Sequence, residues 1–285
     1  MRILVVGADG QLGSDVVRLL SPTVEVTARV MDELDVTDRA ALRQELETLH
    51  PDVVVNCAAY TAVDRAESEQ DAAYRVNVLG ASNVAQAARR VGARVVYFST
   101  DYVFDGAASE PYDEDAPPGP LSVYGRTKLL GEQATREANQ DHLILRLAWL
   151  YGSTGHNFVR TILRLAREKD QLRIVDDQVG SPTFTEDVVH QLWTAIEEGC
   201  SGTYHCVNAG QVSWYAFATH IIHRLGLNVP VIAIRTEDYP TPARRPAYSV
   251  LADRKFALEQ FDGMRSWEDA LDDCLLRYRE ELFHG

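Results

Sequence analysis

Tyr124 and Lys128 stand four residues apart, on one face of a helix predicted over Ser122–Ala138. A phenol with an ordinary pKa near 10 exchanges protons poorly at neutral pH. A neighbouring ammonium favours the phenolate, lowers that pKa and makes the tyrosine a usable proton donor to a carbonyl oxygen. With 12 tyrosines and three lysines in 285 residues, random placement yields roughly 0.13 such pairs. The lysine is informative in itself. Of 28 basic residues only Lys128, Lys169 and Lys255 are lysines, and a compact ammonium that hydrogen-bonds sugar hydroxyls has no equivalent in a planar guanidinium. Thr100 follows the apolar run Val95–Ser99 and offers a hydroxyl to hold the same oxygen, at the sheet edge where open α/β folds place ligands.

A second group of residues suits a dinucleotide. Gly7-Ala8-Asp9-Gly10-Gln11-Leu12-Gly13 lies between the first strand and the first helix. In such a loop the first glycine allows a tight turn, the second lets backbone approach a pyrophosphate, and the third lets helix pack on strand. The helix N-terminus then presents N–H groups to the phosphates. The second strand ends in Arg29-Val30, with no acid there to bind bare ribose hydroxyls. Arg29 either grips a 2′-phosphate, which favours NADPH over NADH, or ends the strand in solvent. Asp35 and Val36 are placed to flank the adenine.

These residues need a scaffold that carries them to one edge. Strands are expected at Arg2–Val6, Glu25–Ala28, Val53–Asn56, Arg94–Ser99 and Leu143–Leu147, alternating with helices at Leu12–Leu20, Arg39–Leu49, Glu69–Val91 and Ser122–Ala138. That alternation predicts a Rossmann-type, doubly wound parallel α/β sheet. Beyond Ala148 strands are expected at Leu172–Val175, Tyr204–Val207 and Val231–Ile234. The helices there are Asn157–Glu168, Glu186–Glu197, Ser213–Leu225 and a tail over Ser266–Phe283. The expected division is a nucleotide-binding domain over 1–150, to which about 178–225 returns, and an interleaved, mainly substrate-binding α/β domain over 151–285.

Composition bounds the partners. The net charge of −14 argues against a nucleic-acid polymer, which requires a basic face. No stretch reaches the ~20 apolar residues of a membrane span, and the short apolar N-terminus reads as a strand rather than a signal peptide, so a cytoplasmic location is expected. Cys57, Cys200, Cys206 and Cys274 form no CxxC pair; Cys57 and Cys206 are expected in the core.

Taken with Ser99-Thr100-Asp101-Tyr102-Val103-Phe104-Asp105-Gly106, the glycine loop and the Tyr124/Lys128 pair resemble the extended short-chain dehydrogenase family. Within it the chain is similar to the dTDP-4-dehydrorhamnose reductases. That likeness extends through Cys57–Asp64, Trp149–Gly152, Asn157-Phe158, Asp177–Thr183 and Arg245–Ser249, and so along essentially the whole chain. It implies NADPH- or NADH-dependent reduction of the 4-keto group of a dTDP-linked 6-deoxysugar. By the same resemblance Gly10, Gln11 and Leu12 cradle the pyrophosphate, Asp35 and Val36 meet the adenosine, and Ala59, Tyr60 and Thr61 line the nicotinamide. Thr100, Tyr124 and Lys128 form the catalytic set; Val63, Thr100, Asp101, Tyr102 and Trp149 face the dTDP-sugar. Val30 departs from the acid often found there. Some relatives hold Mg2+ at a homodimer contact, for which Asp15 and Glu186 are the matching positions. A sugar-nucleotide epimerase, or a regulatory subunit like the β subunit of methionine adenosyltransferase, would share the fold; an intact Thr100/Tyr124/Lys128 set favours an enzyme.

Overall fold

A computed structural model describes residues 1–259 and 261–284. Its first half runs β1 (Arg2–Val6), α1 (Gln11–Leu20), β2 (Glu25–Arg29), α2 (Arg39–Leu49), β3 (Val53–Asn56), α3 (Val63–Ala66), α4 (Gln70–Tyr74), α5 (Ala81–Arg90), β4 (Arg94–Thr100), α6 (Val123–Ala138) and β5 (His142–Leu147). The predicted strands and helices are therefore present, within a residue or two at their ends. The strands of one parallel sheet stand in the order β5-β4-β3-β1-β2, with one more strand beyond β5. The middles of β1, β3 and β4 (Ile3–Val6, Val53–Val55 and Val95–Phe98) are apolar because both faces are covered. Leu12, Val16 and Leu20 of α1 close one face; Leu42 and Leu46 of α2, with Val84–Ala88 of α5, close the other.

The helix expected over Glu69–Val91 is continuous but not uniform. Between α4 and α5 lies one π-helical turn, Arg75–Gly80. Such turns are rare and cluster at functional sites. This one contains Asn77 and Gly80, two poor helix formers. A Cβ on Gly80 would stand 2.7 Å from Val36 Cγ2, so only glycine lets the turn seat on that side chain.

The second half runs β6 (Leu150–Tyr151), α7 (Phe158–Glu168), β7 (Leu172–Val175), β8 (Val179–Gly180), β9 (Thr183–Phe184), α8 (Thr185–Glu197), β10 (Gly202–His205), β11 (Val212–Ser213), α9 (Trp214–Arg224), β12 (Val231–Ile234), α10 (Arg254–Leu258), α11 (Trp267–Arg277) and α12 (Arg279–His284). The strand expected at Tyr204–Val207 starts two residues earlier, and the tail helix is two helices parted at Tyr278. Part of the second half packs back onto the six-stranded sheet. Val188, Val189 and Leu192 of α8 join the face covered by α1, and β10 pairs parallel with β5 as the sixth strand. The return is shorter than the expected 178–225. Phe217, Ile221 and Ile222 of α9 bury instead against Ile162 and Leu163 of α7 and Leu271 and Leu275 of α11, in a second core.

One buried ionic cluster ties these layers together. Arg146 of β5 donates from Nε and Nη2 to both carboxylate oxygens of Glu132 on α6, each at 2.9 Å. His205 of β10 sits beside Arg146 with Nδ1 2.9 Å from the Ala252 carbonyl. Burial, reinforced by the Arg146 charge, pushes the His205 pKa from 6.5 down to about 3. The unfolded chain thus binds a proton near pH 6.5 that the folded chain refuses. Stability should fall as pH drops below about 6.5, with a slope approaching 1.4 kcal/mol per pH unit from this group alone. Urea unfolding between pH 7 and 5 should show that slope in the wild type and a slope lower by about one proton in His205→Gln.

Candidate active site

The glycine loop is shaped by contacts that exclude side chains. Gly7 has φ +73°, and its N–H and that of Ala8 donate to the Arg29 carbonyl at 2.9 and 3.1 Å. A Cβ on Gly13 would lie 2.2 Å from the Gly7 oxygen, so α1 starts in direct backbone contact with the turn. The Gln11 side-chain nitrogen is buried without a partner here. Gly155 lies over Gln11, and the Ser14 and Thr154 hydroxyls are 3.2 Å apart, so the loop after β6 leans on the cradle. A tight turn, a bare helix start and an unspent amide fit a dinucleotide pyrophosphate.

β4 delivers Thr100 to the carboxyl edge of the sheet. Its Oγ1 accepts from the Tyr102 N–H at 3.2 Å and donates to Asp101 Oδ1 at 3.0 Å. Asp101 is buried, its Oδ2 has no partner, and burial raises its carboxyl pKa to about 6. α6 brings Tyr124 and Lys128 to the same edge. Its first turn is capped by the Ser122 hydroxyl, which accepts from Gly125 N–H at 3.1 Å, and by Glu67, which accepts from Val123 N–H at 2.8 Å. A Cβ on Gly125 would stand 2.2 Å from the Tyr102 oxygen. Tyr124 packs edge-on to the Tyr102 ring, with centroids 5.7 Å apart.

The electrostatics depart from expectation at Tyr124. Its phenol is pushed up to about 12 by burial, opposed by the Thr100 hydroxyl, rather than lowered by the lysine. The reason is where Lys128 points. Its Nζ donates to the Phe98 carbonyl at 2.6 Å and lies 4.1 Å from the Tyr97 ring centroid. Desolvation lowers the ammonium itself to about 7. The phenol is therefore firmly protonated, the state a proton donor needs.

Other expected residues are disposed as follows. Tyr60 is clamped by Asn77, which accepts from the Tyr60 N–H at 2.8 Å and donates to its carbonyl at 3.1 Å; Tyr60 OH donates to Glu69 at 2.6 Å. Ala59 is half-buried and Thr61 exposed. Val63 opens α3, where the neighbouring Asp64 pairs with Arg245 at 2.8 Å. Trp149 has φ +45° and stacks face to face on Trp214, with centroids 3.4 Å apart and planes 5° from parallel. Gly180 backs it, where a Cβ would fall 2.3 Å from the indole. Val36 is buried under Gly80, while Asp35 is exposed and accepts from Thr37 N–H. The Arg29 guanidinium does not stand free but pairs with Glu45 of α2 at 2.6 Å.

Asn77 is the site residue that the sequence reading missed. Besides clamping Tyr60 it donates to Thr127 Oγ1 on α6 at 3.0 Å. A polar Asn and a Gly interrupting an apolar helical run were the available signal.

Asp15 and Glu186 do meet, but not as open cation ligands. Asp15 accepts from Arg18 at 2.7 Å and from the Thr185 hydroxyl. Glu186 accepts from Arg18 and from the Tyr278 hydroxyl, and pairs with Arg277 at 2.7 Å. Two guanidinium groups already neutralise these buried carboxylates, so Mg2+ does not fit this cluster as built.

The family model described as RmlD substrate binding domain matches residues 1–280. A dTDP-4-dehydrorhamnose reductase of Burkholderia thailandensis is 42% identical over 295 residues, covering 96% of this chain and 98% of that protein. The crystal structure of such a reductase from Clostridium acetobutylicum superposes with a TM-score of 0.96 at 43% identity, covering 98% of this chain and 100% of the other. That of a Bacillus anthracis reductase in complex with NADP gives 0.95 at 39%, covering 96% and 98%.

Because arginines occupy the carboxylates, thermal unfolding should give the same Tm within about 1 °C in excess EDTA and in millimolar Mg2+. A ligand that bound the folded state would raise it. A rise of several degrees on adding Mg2+ would show that the carboxylates exchange an arginine for a cation.

Proposed function

The chain belongs to the RmlD substrate binding domain family of dTDP-4-dehydrorhamnose reductases, and on that premise we propose that it reduces the 4-keto group of dTDP-4-dehydrorhamnose with NADPH, yielding dTDP-rhamnose. The observation that carries this reading is the Tyr124 phenol beside the Thr100 hydroxyl, at the sheet edge that also holds the glycine cradle.

Residues 1–150, with 185–206, act as the nucleotide-binding part; most of 151–285 supplies the sugar-nucleotide side. Gly7, Gly10, Gln11, Leu12 and Gly13 hold the pyrophosphate, Asp35 and Val36 the adenosine, and Ala59, Tyr60 and Thr61 the nicotinamide. NADPH bound there supplies the hydride. Tyr124 gives its proton to the carbonyl oxygen as negative charge develops on it, while Thr100 fixes the position of that oxygen. Lys128 holds ribose hydroxyls and the local positive potential. Val63, Asp101, Tyr102 and Trp149 orient the dTDP-sugar.

Loss of NADPH absorbance with dTDP-4-dehydrorhamnose tests the reading; an epimerase would show no net oxidation. Tyr124→Phe keeps the ring and removes the proton, so kcat should fall about 10²- to 10⁴-fold with NADPH affinity little changed. Wild-type turnover in that variant would overturn the mechanism.

Cofactor choice follows from the Arg29–Glu45 pair. A 2′-phosphate has to compete with Glu45 for the guanidinium, so the advantage of NADPH over NADH in kcat/KM should be about tenfold rather than a hundredfold. Glu45→Gln should widen it and Arg29→Ala should narrow it. If neither variant changes the ratio, Arg29 does not read the phosphate.

A further inference from the structure

Along α6 the ionisable side chains Tyr124, Lys128, Glu132 and Arg136 follow one another at four-residue spacing, and Glu132 lies too deep to meet a ligand. Glu132 is fully buried. Both its oxygens are taken by Arg146, itself 4% exposed, and Oε2 also accepts from Arg136 at 2.6 Å. A Cβ on Gly131, just before it, would fall 2.2 Å from the Asn77 oxygen and 2.3 Å from the Tyr97 hydroxyl, so this turn of the helix is pressed onto β4.

The surroundings of the Lys128 ammonium explain what a buried carboxylate does there. From β4 it meets the Phe98 carbonyl and the Tyr97 ring. From the end of β3 it faces the Cys57 thiol, a partly buried side chain packed against the core, which burial holds neutral, its pKa pushed up to about 12. Along α6 it has Tyr124 on one side and Glu132 on the other. Among these groups Glu132 alone bears a formal negative charge at neutral pH. Burial opposes that charge, but the Arg146 hydrogen bonds and charge outweigh it and keep the carboxyl below its usual range. β4 and β5 pair Ser99 with Arg146, so the arginine reaches Glu132 from the strand next to the one whose Phe98 carbonyl accepts from Lys128.

We propose that Glu132 is a positioning residue for Lys128: clamped by Arg146, it lays the negative end of a buried ion pair one helical turn from the ammonium and keeps that lysine charged. Burial has brought Lys128 to a pKa of about 7, where a small change in local potential alters the charged fraction most. Removing the carboxylate while Arg146 remains should lower it by about 1, leaving roughly five times less ammonium at neutral pH.

The test uses the scarcity of lysine. With only three in the chain, 13C-lysine labelling of the full protein gives a spectrum in which Lys128→Arg identifies one signal and Lys169 and Lys255 serve as internal references. Glu132→Gln should move the Lys128 titration to lower pH by at least about 0.5. That variant leaves Arg146 buried without its counter-charge, which threatens folding. The double variant Glu132→Gln/Arg146→Gln removes both charges, and its Lys128 should titrate between wild type and the single variant. An unchanged Lys128 titration in either variant, in protein with wild-type circular dichroism, overturns the proposal. The consequence for turnover rests on the function proposed above, in which the charged lysine is needed. There the basic limb of the kcat/KM profile should shift down in step, with activity recovering at lower pH. If the NMR titration moves and the pH profile does not, the role of Lys128 in turnover fails while that of Glu132 stands.

Discussion

Helix α6 lies closer to the carboxyl edge of the sheet than any side chain would permit. Gly125 follows Tyr124 and Gly131 lies one turn beyond Lys128, and at both the space for a Cβ is already filled, by the Tyr102 oxygen at the first and the Asn77 oxygen and Tyr97 hydroxyl at the second. That approach buries the Lys128 ammonium against a carbonyl and an aromatic face, sets Tyr124 beside Thr100, and pins the helix to the π turn that holds Asn77. The desolvation that disfavours charge on the lysine and keeps the phenol protonated arises from the same packing. Spacing on a helix face brings the groups into line; contact with the sheet decides their protonation.

How much of this the sequence disclosed follows from the range of the interactions. The sheet strands and the helices between them were legible because apolar runs and helical periods are local. The glycine loop was legible because its position between strand and helix is local too. Tyr124 and Lys128 could be paired by spacing, and the return of the chain to the sheet was expected. The directions of charges were not legible. Arg29 turns to Glu45, and Asp15 and Glu186 are bound by Arg18 and Arg277, the last from 91 residues further on. Lys128 donates to a backbone carbonyl that no pattern marks. Nor was Asn77 legible, since its role depends on a widened helical turn that propensity flags only as a weakness.

The molecule also separates two kinds of charge. Its surface holds exposed ion pairs such as Arg43–Glu47 and Arg164–Glu168, which contribute little to stability. Its interior holds Arg146, Glu132 and His205 in one cluster at the junction of α6, β5 and β10, where each requires the others. Buried pairs of this sort are weak stabilisers against apolar replacements but strongly penalise partial removal. They make the arrangement of those three elements specific.

The place of β10 in the sheet has a consequence for synthesis on the ribosome. β5 ends at Leu147 and its outer neighbour at His205, so the free edge of β5 waits for 58 further residues before it is paired. At 5–20 residues per second that wait is about 3–12 s, during which the backbone N–H and C=O groups along that edge have no strand to bond and can template pairing with another chain. The six-stranded sheet is begun first but completed late, and nascent chains are most exposed to misassembly while residues 148–205 are being translated.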